Sequence, residues 1–340
     1  MAKRSSSFSW ARSLQRSFNT MANQSMKAAA PVVTRALKQQ VRKRTPPPGG
    51  GDWIGGLAMG GAGARRYRLY RPAAVSVGER LPLLVMLHGC GQDPEDFAKG
   101  TRMNRIADRE RFMVLYPEQD RLANPQGCWN WFDTRGGRAY GEAEVVMRMV
   151  DQVCMLYPAD RSRVAVAGMS AGASLAALLV TRYPGRFKAV VMHSGVPPGS
   201  ANSTLSAVGA MRGHRPAAPV HSPTAALGLW PPLLVIHGVR DRVVSVNNGQ
   251  LAAQSWASAC GARAVAGRTV QRGARYSVTI TDYKRRSSIV ATLVEVDLLG
   301  HAWSGGAASQ SHTDGKGPDA SRMVWAFVAK QFGQADGAIA

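Results

Sequence analysis

Five short apolar runs, each stopping at a glycine, a proline or a polar turn, constrain this chain more than any other feature. They are "LPLLVMLHG", "FMVLYP", "RVAVAGMS", "KAVVMHSG" and "PPLLVIHG". Runs of this length, with no polar alternation, suit strands buried on both faces, as in a parallel sheet. Helical patterns lie between them at Glu142–Tyr157 and Ala171–Tyr183, and after the last at Gln250–Ala259. Alternation of this kind predicts an α/β fold, with a mostly parallel central sheet and helices on both faces. Further on, "YSVTITDY" and "IVATLVEVDLL" read as a strand pair turning through "KRRSS", and "ASRMVWAFVAKQF" as a closing helix. The segment 196–230, rich in Pro, Ala, Ser and Gly, breaks the rhythm and is expected to be a small inserted loop or lid.

The charge distribution divides the chain. Of a net charge of +22, residues 1–51 supply ten Lys or Arg and no acid. Residues 1–50 therefore read as a basic N-terminal arm, closed by the Pro/Gly linker "RKRTPPPGGG", and 51–335 as the α/β domain. Within the arm, Phe8, Ala11, Leu14 and Phe18 fall near helical spacing with Arg12 and Arg16 off that face. Two readings stay open: a disordered tail, or an amphipathic helix by which residues 1–45 meet an anionic membrane or a polymer granule surface. The remaining +12 is diffuse, and no specific nucleic acid partner is expected. The longest apolar run of the arm, "AAAPVV", is shorter than a secretory signal needs, and no run of 18 apolar residues is present anywhere. Cys90, Cys128, Cys154 and Cys260 show no CxxC spacing and no HExxH occurs, so neither a metal nor a cofactor is expected.

In a parallel α/β sheet, ligands bind beyond the carboxyl ends of the strands, and three reactive residue types fall at such ends. Ser170 sits in "GMSAG", between a strand and a helix. Its bland reading is a tight turn crowded with small residues. Its chemical reading is a nucleophile lifted clear of the sheet. Asp241, in "HGVRDRVV", can hold an imidazole in one tautomer; the alternatives are that Asp241 is a loop residue paired with Arg240 or Arg242, or that Asp297, the weaker candidate, takes the role. His301, in "LLGHAWSGG", is placed as a general base. An oxyanion would need two donors, for which the candidates are the backbone N–H groups of Ala171 and, from "HGCGQ", Cys90. His88, His193 and His237 are expected to pack beneath the site, and His214, His221 and His312 to be solvated.

The runs "LLVMLHGCGQDPEDFA", "GCWNWF", "RVAVAGMSAGAS", "IHGVRDRVV" and "GHAWSGG" together resemble the polyhydroxybutyrate depolymerase-type esterases, relatives of the feruloyl and acetylxylan esterases. The resemblance covers roughly Tyr67 to Phe332. It implies an α/β-hydrolase fold, cofactor-free hydrolysis of carboxylic esters (poly- or oligo-(3-hydroxybutyrate) first), and a Ser170–Asp241–His301 triad. Feruloyl, acetylxylan or general short-chain esters are the alternative substrates, with a peptidase or a docking protein further off. The resemblance also implies a Cys90–Cys128 disulfide and a substrate cleft flanked by Trp129, Trp131 and Trp303, for which core packing is the competing reading. It implies an extracellular location, against which the missing signal pattern leaves an intracellular one open. Polymer-degrading relatives carry a further binding domain, so the end of the sequence at Ala340 sets an expectation against efficient degradation of solid, crystalline polymer.

Overall fold

The predicted strands form in sequence order, but they pair in a different order in space. In this computed structural model, which describes residues 47–216 and 230–336, the main strands are β1 (Asp52–Gly60), β2 (Gly63–Arg71), β3 (Leu81–Leu87), β4 (Met113–Pro117), β5 (Ala159–Met169), β6 (Val190–His193), β7 (Leu233–Gly238), β8 (Arg263–Ala264), β9 (Arg268–Val270), β10 (Val278–Arg285) and β11 (Ser288–Val296). Ten of them hydrogen-bond in the order β1-β2-β4-β3-β5-β6-β7-β11-β10-β8, with β9 on β10. The centre, β4-β3-β5-β6-β7-β11, is parallel throughout. Antiparallel pairs close both edges. The arm readings for residues 1–45 fall outside the described residues, as does 217–229.

Successive residues of the central strands point to opposite faces, and both faces are apolar. Leu83, Val85 and Leu87 of β3, Val164 and Val166 of β5, and Leu233 and Val235 of β7 face one core. That core is shared with α3 (Arg138–Leu156), α4 (Ala171–Arg182) and α6 (Asn247–Cys260). Leu84 and Met86, Ala165 and Ala167, and Leu234 and Ile236 face the other core, built with α1 (Pro94–Thr101), α2 (Met103–Glu110) and α7 (Ala320–Asp336). Double-sided burial is why these strands read as continuous apolar runs rather than as alternating ones.

Three regions depart from the sequence expectations. The β1–β2 hairpin, ahead of the first apolar run, is not marked in the sequence, because glycines in "DWIGGLAMGGAGA" dilute the alternation. Helices α1 and α2, eight residues each, are too short for a helical period to stand out. The 196–230 segment is not irregular throughout: it contains α5 (Thr204–Met211), started by a capping box in which the Ser203 hydroxyl and the Ser206 backbone and side chain satisfy one another.

Candidate active site

Strand β5 ends at Met169 and α4 begins at Ala171, which leaves Ser170 alone at the corner. Its backbone has φ 55° and ψ −120°, a conformation that costs energy for a residue with a Cβ and persists only where surroundings enforce it. Here the Ser170 N–H donates to the His193 carbonyl at 2.8 Å, and the Ser174 N–H returns to the Ser170 carbonyl at 3.0 Å. The corner also needs Gly172, since a Cβ there would lie 2.2 Å from the Leu87 oxygen and 2.5 Å from the His88 oxygen. The first turn of α4 thus rests directly on the end of β3, the strand that leads to Cys90.

The other two residues are delivered by loops after β7 and β11. Gly238 permits the loops to touch, because a Cβ there would lie 2.3 Å from the Leu299 oxygen. Val239 N–H then donates to the Val296 carbonyl and Arg240 N–H to the Leu299 carbonyl, both at 3.0 Å. Across this contact Asp241 Oδ2 meets His301 Nδ1 at 2.7 Å, and His301 Nε2 meets Ser170 Oγ at 3.0 Å. Asp241 Oδ1 accepts from the backbone N–H groups of Val243 (2.9 Å) and Val244 (2.8 Å). Burial disfavours the Asp241 charge, but the His301 hydrogen bond and charge and the Val244 N–H outweigh it, holding the carboxyl below its usual range. The Asp241 side chain is fully enclosed while that of His301 keeps 13 % of its surface open, so the imidazole is reachable from outside. An imidazole fixed on one nitrogen by a carboxylate, with the other on a hydroxyl, can take that hydroxyl's proton. Asp297 is not part of this line: its carboxylate accepts from the Ser277 hydroxyl beside β10.

Facing Ser170 is the loop His88–Gln92. Cys90 is joined to Cys128 by a disulfide, Cα–Cα 4.2 Å. Among the described residues, neither the Cys90 nor the Ala171 backbone N–H donates to another protein group. An N–H without a protein acceptor can donate to a ligand oxygen. No group of three or more His, Cys, Asp or Glu among the described residues is arranged to hold a metal ion.

The family described as Esterase PHB depolymerase matches residues 65–274, a span that includes Ser170 and Asp241. The chain belongs to that family. It is 30% identical over 193 residues to poly(3-hydroxyalkanoate) depolymerase C of Paucimonas lemoignei, covering 56% of this chain and 43% of the depolymerase. It is 28% identical over 222 residues to feruloyl esterase B of Neurospora crassa, covering 59% of this chain and 73% of that enzyme. Among solved structures, acetyl xylan esterase from Aspergillus awamori superposes with a TM-score of 0.62 at 19% identity, covering 81% of this chain and 99% of that one. S-formylglutathione hydrolase from Agrobacterium tumefaciens follows the same fold, with a TM-score of 0.52 at 18% identity, covering 75% and 90%. The fold is that of the α/β hydrolases.

In this family member the tryptophans expected to flank a cleft divide. Trp129 and Trp303 correct that expectation, since both are enclosed in the core. Trp129 donates its Nε1–H to the His88 carbonyl (3.1 Å), and Trp303 donates to Ser321 Oγ (3.0 Å) while stacking on His193 at 4.9 Å. Trp131 is half-buried and packs with Phe132 against a small apolar cluster of Val196, Ala201, Ala207, Ala210 and Val244. Because Val244 follows Asp241 and the Val196 N–H bonds Ser174 Oγ at 2.8 Å, this cluster borders the Ser170 corner. His88, His193 and His237 are buried, His214 and His312 are exposed, and His221 lies outside the described residues. Sequence reasoning missed Gln92, Gln119 and Glu142, which hold the Cys90 loop from behind; isolated polar residues in loops and helices carry no pattern that marks them.

Proposed function

We propose that this chain is a serine esterase that hydrolyses carboxylic esters through an acyl-enzyme. The observation that carries the reading is the continuous line from Ser170 Oγ through His301 to Asp241, at 3.0 and 2.7 Å. His301 Nε2 takes the Ser170 proton as Oγ attacks the ester carbonyl carbon. The Cys90 and Ala171 N–H groups hold the oxygen as it becomes an oxyanion. His301 passes the proton to the leaving alcohol, which departs and leaves an acyl-serine. A water then loses its proton to His301 and attacks the acyl carbon. The acid leaves, and Ser170 recovers its proton. Asp241 keeps the imidazole as the Nδ1–H tautomer and stabilises its cation.

For the substrate we propose poly- or oligo-(3-hydroxybutyrate)-type esters, supported by the family match and the depolymerase relative. A second reading, a feruloyl- or acetylxylan-type ester, is favoured by coverage: the match spans 73% of feruloyl esterase B against 43% of the depolymerase. The basic arm, residues 1–45, is the proposed contact to an anionic membrane or granule surface. The test pairs wild type with Ser170→Ala on p-nitrophenyl butyrate, amorphous poly(3-hydroxybutyrate), methyl ferulate and acetylated xylan. Loss of turnover by several orders of magnitude in the variant is expected, and the polymer and sugar arms rank the substrates. An active Ser170→Ala protein would end the triad reading.

A further inference from the structure

The Cys90 N–H belongs to the peptide that joins it to Gly89, so whatever fixes the Gly89 carbonyl also fixes the N–H. A trans peptide is planar, and its C=O and N–H point in opposite directions. The Gly89 oxygen lies 2.8 Å from His88 Nδ1, and a Cβ at Gly89 would lie 3.6 Å from Ser170 Cβ. The peptide therefore stands beside the Ser170 corner with its carbonyl turned back to His88. Its N–H is turned the other way.

The two neighbours of the His88 ring leave one tautomer. A carbonyl oxygen can only accept, so Nδ1 carries the proton. The Gln119 backbone N–H, 3.2 Å from His88 Nε2, can only donate, so Nε2 is bare. Gln119 is itself held on both ends of its side-chain amide. Its Nε2 donates to Glu142 Oε1 (2.6 Å) and to the Cys128 carbonyl (2.9 Å), and its Oε1 accepts from Arg65 Nε (3.1 Å). Glu142 is buried and also accepts from the Asn130 backbone N–H (2.7 Å) and Nδ2 (2.6 Å). The His88 carbonyl is bound by Trp129 Nε1–H, and Gly89 N–H donates to Gln92 Oε1 at 2.9 Å. This polar column runs from α3 to the loop without touching Ser170, His301 or Asp241.

We propose that His88 is a positioning residue: as the Nδ1–H tautomer it holds the Gly89 carbonyl, and through the rigid Gly89–Cys90 peptide it aims the Cys90 N–H at the oxyanion. The role rests on the serine-esterase reading above and adds to it how one of the two donors is oriented. Burial, the largest influence on His88, lowers its pKa and keeps the ring neutral. A protonated ring would set two donors, Nε2–H and the Gln119 N–H, against each other.

Two isosteric variants of the full chain separate aiming from mere packing. In His88→Asn the side-chain amide replaces the Nδ1–H donor, and in His88→Gln only the Nε2 position is replaced. Loss of a whole oxyanion donor costs on the order of 10²–10³ in kcat. His88→Gln should therefore lose about 10²-fold in kcat with KM within about threefold, while His88→Asn keeps kcat within about tenfold of wild type. Affinity for a trifluoromethyl ketone, whose adduct carries the oxyanion, should fall in parallel with kcat/KM. Equal losses in the two variants, or a change in KM alone, overturn the proposal. A second measurement needs no variant: ¹⁵N-labelled wild type should show a protonated Nδ1 and a bare Nε2 at His88 from pH 6 to 9. The opposite tautomer overturns it even if the variants do not fold. An active Ser170→Ala protein would instead sink the esterase mechanism and leave the tautomer result standing.

Discussion

Replacing Asp241 by asparagine changes one atom and reverses the logic of the site. Oδ1 of Asp241 accepts from two backbone donors, Val243 N–H and Val244 N–H, at 2.9 and 2.8 Å. In Asp241→Asn the amide oxygen must stay on those donors, because an NH₂ there would face two N–H groups. The NH₂ then takes the place of Oδ2, 2.7 Å from His301 Nδ1. To meet it, Nδ1 must become the acceptor, and the imidazole proton moves to Nε2. That nitrogen sits 3.0 Å from Ser170 Oγ and can no longer take a proton. The equivalent tautomer inversion in serine proteases costs about 10⁴ in kcat, or about 5.5 kcal/mol of transition-state stabilisation. The assay is kcat and KM on p-nitrophenyl butyrate at pH 7.5, with melting temperature as the control for folding. A kcat within about tenfold of wild type in a folded variant would refute the tautomer argument, as would a loss carried by KM alone.

Three further outcomes are expected. Gly172→Ala places a Cβ 2.2 Å from the Leu87 oxygen, so it should destabilise the domain by ~3 kcal/mol or more; an unchanged urea midpoint would show that the corner has slack. The Cys90–Cys128 bridge spans a sequence separation of 38, and the Cys90→Ala/Cys128→Ala double variant should unfold about 4 kcal/mol more easily, read from urea midpoints against the oxidised wild type. Burial first, then repulsion from His237 and His301, lowers His193 to about 3, whereas an unfolded histidine titrates near ~6.5. The unfolded state thus binds the extra proton, so the contribution of His193 is complete above ~6.5 and declines as pH falls toward about 3, at up to about 1.4 kcal/mol per pH unit. Urea titrations at pH 7, 6 and 5 should show a flatter decline in His193→Gln, and an identical slope in the variant would count against neutral burial of this ring.

What a residue's near neighbours decide was legible in the sequence. Strands buried on both faces need unbroken apolar runs, so β3 to β7 announced themselves, as did β11 in "IVATLVEVDLL", and with them the strand ends where Ser170, Asp241 and His301 stand. A small-residue corner between strand and helix needs glycines, so "GMSAG" was readable as well. The β1–β2 hairpin and the helices α1, α2 and α5 were not, since glycine, shortness or an alanine-rich loop blurred their periods.

Which residues touch was left to the tertiary structure, because those contacts join positions far apart in the chain. The strand-end position of Asp241 set it ahead of Asp297 in the sequence, but its contact with His301 is made by the Gly238–Leu299 approach, which the parallel pairing of β7 with β11 creates. Nothing local reveals that Trp129 and Trp303 are buried while Trp131 meets the apolar cluster beside Ser170. The aim of the Cys90 N–H depends on a column from Glu142 through Gln119 to His88, assembled from three separate elements. Sequence fixes what each segment can become in isolation, because propensity and periodicity act over a few residues. Side-chain partnership depends on sheet order, and sheet order is a property of the whole packed chain.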